Sequence, residues 1–347
     1  MPGLFDTYEV RGVTLPNRVV LAPMAQWSAE ADGRANRWHL VHYGTRAVGG
    51  PGLVMMEGAN VDPTARGGLD NLGIWEDAQI APLAEIVDFC HEQDVMMGIQ
   101  LSHGGRKVGA PDNENPDARA VGPSPVAFTD GWATPHELSK SEIAGQIESF
   151  VAGAKRVVAA GFDVVEIHGA HGYLVSSFFS PLANHRTDEY GGDIKARSRF
   201  GCEMTEAIRA AIPNETALFI RINGSDLAAG GSDPEEMAVA AEMLHAAGAD
   251  VIDVSAGGNS PEAPSIQSLY PGYQLEIAAT IKRLAVVPTI AVGMIRSPAM
   301  AEEIVQNGRA DLVAIGREML GNPYWPRIAA RKLGAAMEWP EQYETAW

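Results

Sequence analysis

Three stretches repeat one pattern: Ala160-Gly161-Phe162-Asp163-Val164-Val165, Ala247-Gly248-Ala249-Asp250-Val251-Ile252 and Asn307-Gly308-Arg309-Ala310-Asp311-Leu312-Val313. Each has a helical pattern before it and an apolar run after it. The glycine supplies the positive φ that closes a helix, and the aspartate stands at the entry to a buried strand. A device that returns in this way marks successive helix-to-strand turns.

Working outward, strand-like runs fall at 18–22, 52–56, 96–101, 164–168, 218–222, 251–255, 289–292 and 312–315. Helical patterns lie between and after them, at 80–92, 142–160, 198–211, 234–247, 275–284, 298–306 and 326–333. Helix starts are well signalled. Asp233-Pro234-Glu235-Glu236 offers a cap, a proline in the first turn and an acid at the third position, and Ser297-Pro298 repeats the cap and proline. Ser139 and Glu142 have the spacing of a capping box. Eight such units predict an α/β protein, a single (β/α)8 TIM barrel, rather than an open doubly wound sheet. An open sheet would want a glycine-rich turn after the first strand, and Ala22-Pro23-Met24-Ala25-Gln26-Trp27 is not one. No change of composition divides the 347 residues, so one domain over 1–347 is expected. The stretch 102–140, rich in Pro, Gly, Asn and Asp, reads as an elaborated loop over the C-terminal mouth of the barrel.

Composition narrows the function. Hydrophobic residues make up 46% and charged residues 20% of the chain, as in a soluble globular protein with ample core. A net charge of −18 repels phosphate backbones, which argues against nucleic acid as a partner. No apolar stretch reaches membrane-spanning length, and Met1–Thr7 lacks the basic start and apolar run of a signal peptide. A cytoplasmic location is the expectation. The two cysteines, Cys90 and Cys202, sit in helical apolar patterns and in no CxxC pair. They read as buried small hydrophobes, with no support for a cysteine-held cluster or zinc.

The chemistry concentrates where strands end. The fourth strand runs into His168-Gly169-Ala170-His171-Gly172-Tyr173, which gathers two imidazoles and a phenol in one loop. Two imidazoles can donate to one substrate oxygen, and a phenol can hand over a proton. A metal pair is the other reading of this spacing, but zinc needs a third protein ligand, and such pairs usually lie on a helix that Gly169 and Gly172 would interrupt. A third is that both histidines are structural. Two-residue alternation places Glu166 and His168 on one face, and Phe219 and Arg221 on another. An arginine facing a barrel interior either binds a ligand or pairs with a carboxylate, and Glu166 is the obvious partner. The seventh and eighth strands end at Gly293 and at Gly316-Arg317, the residue types with which barrels bind phosphate, unless these are only tight turns.

Taken together, the motifs Leu15–Met24, Gln100–Arg106, His168–Leu174, Ser180–Gly192, Val292–Met294, Ile315–Glu318 and Gln342–Trp347 carry a resemblance that covers essentially the whole chain. The protein resembles the FMN-dependent ene reductases of the Old Yellow Enzyme family, in particular its short, thermophilic-like "class III" bacterial branch. The resemblance implies FMN across the barrel mouth, backed by Pro23, Met24 and Ala25 with Ala59 nearby. It implies that Gln100 bonds the pyrimidine edge and that Arg221 faces the part of the ring where negative charge collects on reduction. Gly293, Gly316 and Arg317 would hold the phosphate. It further implies that NADH or NADPH reduces the flavin and that an α,β-unsaturated carbonyl compound, an enone or enal, then takes the hydride from flavin N5. His168 and His171 would hold the carbonyl oxygen, and Tyr173 would protonate the α-carbon. Two other flavin reactions stay open: reduction of nitro or nitrate-ester compounds, and ketone desaturation. No metal enters this scheme.

Three positions depart from the branch. Its cysteine and tyrosine after the proline–methionine are replaced here by Ala25 and Trp27. Trp27 is either an apolar wall of the substrate pocket or a packing substitution. Thr345 stands where the branch ends with an arginine that enters a neighbouring subunit, so a homo-oligomer, dimer or tetramer, is expected with less force.

Overall fold

The computed structural model describes residues 1–262, 264 and 268–346, so Trp347 of the C-terminal motif lies outside the described residues. Eight parallel strands close into a barrel in sequential order. They are β1 (Val19–Leu21), β2 (Leu53–Asn60), β3 (Met96–Ser102), β4 (Val164–Gly169), β5 (Ala217–Asn223), β6 (Val251–Ser255), β7 (Thr289–Ala291) and β8 (Leu312–Ile315). The outer ring is α1 (Arg37–Val48), α2 (Ile80–His91), α3 (Lys140–Ala159), α4 (Ile194–Ala211), α5 (Pro234–Ala246), α6 (Leu275–Ala285), α7 (Pro298–Gln306) and α8 (Trp325–Leu333).

The repeated turn works the same way three times. Gly161, Gly248 and Gly308 have φ of 89°, 112° and 65°. The aspartates that follow each accept the backbone N–H that opens or nearly opens the preceding strand. Asp163 accepts from Met97 at 2.7 Å, Asp250 from Leu218 at 2.9 Å and Asp311 from Thr289 at 2.8 Å. A basic side chain then meets each carboxylate: His91 on Asp163, Arg11 on Asp250 and Lys282 on Asp311. Thus the strand starts are tied together at the end of the barrel away from the loops that follow the strands. The predicted caps form as well. Ser139 and Glu142 make a reciprocal box, Asp233 accepts from Glu236 N, and Ser297 accepts from Met300 N.

Inside the barrel the lower layers are apolar. Val20, Leu53, Met55, Val164, Phe219, Val251, Ile290 and Leu312 pack there with Val10, Val13 and Leu15. Those last three belong to an antiparallel hairpin, Tyr8–Val10 with Val13–Leu15, which closes the bottom. The upper layer is polar, with Gln100, Glu166, Arg221 and Asp253 all buried. A larger apolar layer lies between strands and helices.

One helix escapes the sequence pattern. The buried face of α1 carries His39, His42, Tyr43, Gly44 and Ala47, so no apolar stripe announces it. Its start is nonetheless capped: Asn36 accepts from the backbone, and His39 returns a bond to Asn36 N at 3.1 Å.

Candidate active site

Two cavities of about 390 and 350 Å³ share Pro23, His171 and Arg221, and together they span the barrel mouth. The first is lined by Pro23, Ala25, Trp27, Gln100, His168, His171, Tyr173 and Arg221 among others. The second takes in Met24, Ser255, Gly293, Arg296, Gly316 and Arg317. The fold therefore brings the sequence-predicted residues to one place, with Ala59 as the exception. A bulge between Met56 and Gly58 shifts the inward-outward alternation of β2. Ala59 consequently packs into the layer between strands and helices, and Gly58 and Asn60 line the cavity instead.

His168 and His171 stand edge to face, ring centroids 5.1 Å apart, and Tyr173 packs against His168 at 5.0 Å. The intervening glycines let the chain double back, and His171 itself takes a φ of 61°. Its N–H donates to Asn223 on β5 at 3.1 Å, which anchors that left-handed turn. His168 Nδ1 accepts from Ala170 N at 3.3 Å, so a neutral ring carries its proton on Nε2. Burial first, then the charge of Arg221, holds both imidazoles well below 6.5, and they are neutral donors at physiological pH. Burial pushes the Tyr173 phenol up.

Arg221 corrects one expectation. Its ion pair is with Asp253, the residue beside it on β6, Nε to Oδ2 3.2 Å, and not with Glu166. Glu166 instead accepts from Gln100 Nε2 at 2.8 Å. Burial, with the Asp253 carboxylate beside it, pushes Glu166 up to about 8, and burial raises Asp253 as well. Glu166 Oε2 and Asp253 Oδ1 find no hydrogen-bond partner. Buried polar atoms left open beneath a cavity suit a polar ligand that completes them.

Several residues of the site were missed in the sequence. Ser255 ends β6 and lies 2.7 Å from His171 Nε2, and the rule that strand ends carry chemistry would have found it. Arg296 joins Arg317 in the second cavity, only three residues after Gly293. Glu57 lines the first cavity from the bulge and accepts from Tyr43 at 3.1 Å and Gln26 N at 2.8 Å. The loop after β3 does cover the mouth, contributing Lys107, Val108 and Trp132. Trp27 lines the same cavity yet stays 67% exposed, with φ 46°. Thr345 is exposed in the C-terminal turn Glu341–Ala346. Burial pushes the Cys90 thiol up to about 12 and Cys202 to about 11, the inert states expected of packing residues. No group of three or more His, Cys, Asp or Glu able to hold a metal occurs among the described residues. Nor is any described helix long and apolar enough to cross a membrane.

The dimensions suit FMN. The second cavity carries glycine turns and two arginines, the first carries Gln100, His168 and Tyr173, and His171 and Arg221 line both. Gly293 holds a φ of 123° that a side chain would strain, and with Gly316 it presents bare backbone beside Arg296 and Arg317, as a phosphate site requires.

Known proteins give the same assignment. Residues 3–335 match the NADH:flavin oxidoreductase / NADH oxidase family. The NADPH dehydrogenase of Geobacillus thermodenitrificans is 43% identical over 345 residues, 99% of this chain and 98% of that protein. The structure of morphinone reductase superposes with a TM-score of 0.79 at 31% identity, covering 98% of this chain and 92% of the other. An old yellow enzyme homologue from Zymomonas mobilis gives 0.79 at 25% identity, over 97% and 94% of the two chains. The chain therefore belongs to the NADH:flavin oxidoreductase / NADH oxidase family and is an FMN-dependent oxidoreductase of the Old Yellow Enzyme type that draws on a reduced nicotinamide.

Proposed function

We propose that the protein reduces the activated C=C bond of α,β-unsaturated carbonyl compounds, with NADH or NADPH as donor. The observation that carries this reading is the convergence of two neutral imidazoles and a phenol on one wall of a cavity. Bound FMN supplies the hydride that the acceptor takes at its β-carbon. Everything else falls to the side chains.

His168 donates through Nε2–H to the carbonyl oxygen, and His171 is the second donor from the other side. Negative charge grows on that oxygen as the double bond is reduced, and preorganised donors stabilise it more than they stabilise the ground state. Tyr173 delivers a proton to the α-carbon. Its raised pKa keeps the phenol protonated until the carbanionic carbon draws the proton away. Pro23, Met24 and Ala25 would back the flavin ring, and Gln100 and Arg221 would hold its polar edge. Arg221 would offer a fixed cation that favours the anionic form of a reduced flavin. Gly293, Gly316, Arg296 and Arg317 would bind the phosphate.

Visible absorbance under anaerobic conditions tests this. Bleaching of the flavin by NADPH, followed by return of colour with 2-cyclohexenone, is the expected sequence. Return of colour only with a nitro compound, or formation of enone from a saturated ketone without the forward reaction, would overturn it.

A further inference from the structure

Lys107 lies in the short turn Gly105–Gly109 that leaves β3, and it lines the same cavity as His168, His171 and Tyr173. Its stem runs close over Gly172, where an added Cβ would come within 3.1 Å of Lys107 Cε. The ammonium sits between two aromatic faces, 4.4 Å from the Phe128 centroid and 5.6 Å from that of Tyr173. Among the described residues it forms no ion pair, and no hydrogen-bond acceptor meets Nζ. Its neighbour is a second cation. Arg106 spends its guanidinium on neutral carbonyls, that of Asn259 at 2.5 Å and those of Val126 and Ala127 at 3.4 Å.

Two adjacent cations, Arg106 buried and Lys107 half-buried in the cavity wall, are costly when neither makes a direct ion pair with a carboxylate among the described residues. Aromatic faces offset part of the cost but accept no N–H bond. Burial, with Arg106 adding to it, lowers Lys107 to about 8, which still leaves it mostly charged at neutral pH. An anion brought by the ligand would complete the pair. The position of that anion follows from Tyr173, whose ring contacts both His168 and Lys107. If the carbonyl oxygen rests on the histidines and the α-carbon faces Tyr173, a short substituent on the α-carbon reaches the ammonium.

We propose that Lys107 is the anion-recognition residue of the substrate cavity, and that the enzyme favours acceptors bearing a carboxylate close to the α-carbon. This rests on the reading of the site as an enone reductase, and the first measurement below is independent of turnover.

Calorimetric titration of the FMN-loaded enzyme with 2-(carboxymethyl)cyclohexanone and with its methyl ester reads binding alone. The kcat/KM ratio for the corresponding 2-cyclohexenones reads the reaction. Wild type should prefer the carboxylate about tenfold in both, as a charge-assisted hydrogen bond provides. Lys107→Met should lose that preference, and Lys107→Arg should keep most of it. Preferential binding of the saturated carboxylate without any enone turnover would leave the anion site standing and remove the proposed reaction. Equal affinity for acid and ester in wild type, or an unchanged preference in Lys107→Met, would overturn the inference. So would a loss in Lys107→Met confined to NADPH binding, which would give the cation to the phosphates of the donor.

Discussion

A serine on β6 holds a histidine from the loop after β4: Ser255 Oγ lies 2.7 Å from His171 Nε2. The same hydroxyl is 3.5 Å from an Arg221 terminal nitrogen. One small side chain thus touches both the second carbonyl donor and the cation assigned to the flavin edge. Removing it should loosen the imidazole while leaving the fold intact. Ser255→Ala is expected to lower kcat about fivefold, the worth of roughly one hydrogen bond, with little change in melting temperature. Stopped-flow oxidation of the reduced enzyme by 2-cyclohexenone measures it.

Loss of either donor ring is a larger change. His168→Ala or His171→Ala should slow enone reduction by about 10²-fold to 10³-fold, as removal of an oxyanion donor does elsewhere. Binding of simple phenols, seen as a shift in the flavin spectrum, should weaken in parallel. Unchanged turnover in both variants would sink the role given to the pair.

The ion pair beneath the cavity makes an asymmetric prediction. Asp253→Asn leaves Arg221 buried without its partner, at a cost of about 3 kcal/mol in urea unfolding. Glu166, held up at about 8, can then release its proton and limit the damage. Arg221→Met leaves two carboxyls that burial already favours in protonated form, so its stability should fall less. What it loses is the cation at the flavin site, and it should be purified with a lower FMN content than Asp253→Asn.

Glu57 gives a pH signature. Burial raises this carboxyl from 4.5 to about 7 in the folded protein. Folding therefore tightens the hold on a proton. Its contribution to stability is full below pH 4.5 and is lost as pH rises through 7. Glu57→Gln removes the titration. The variant should gain in stability relative to wild type between pH 5 and pH 8, read as the difference in melting temperature at the two values. A difference that stays flat across this range would show that Glu57 keeps its ordinary carboxylate behaviour when folded.

Much of this was legible in the sequence because repeated physics leaves repeated letters. The glycine–aspartate turns serve the same backbone groups in three of the eight units, so the alternation of helix and strand could be recognised from them. His168, His171 and Tyr173 were found because strand ends in such a barrel face the cavity. The parts that were not legible depend on relations between strands. Arg221 pairs with Asp253 rather than Glu166 because β5 and β6 set those two residues side by side, which no single strand reveals. The bulge in β2 falls at Met56-Glu57-Gly58, after the apolar run that marks the strand has ended, and turns Ala59 outward. Helix α1 buries histidines, and Glu57 and Lys107 look like ordinary surface charges until the chain folds over them.

The tethering of strand starts by Asp163, Asp250 and Asp311 has an engineering consequence. These anchors sit at the opposite pole from Ala25, Trp27, Lys107 and Trp132, and share no side chain with them. Mutational libraries aimed at the mouth should consequently be tolerated across many combinations, because the foundation is wired separately from the working face. Substrate range can be redrawn in this scaffold without renegotiating how it stands up.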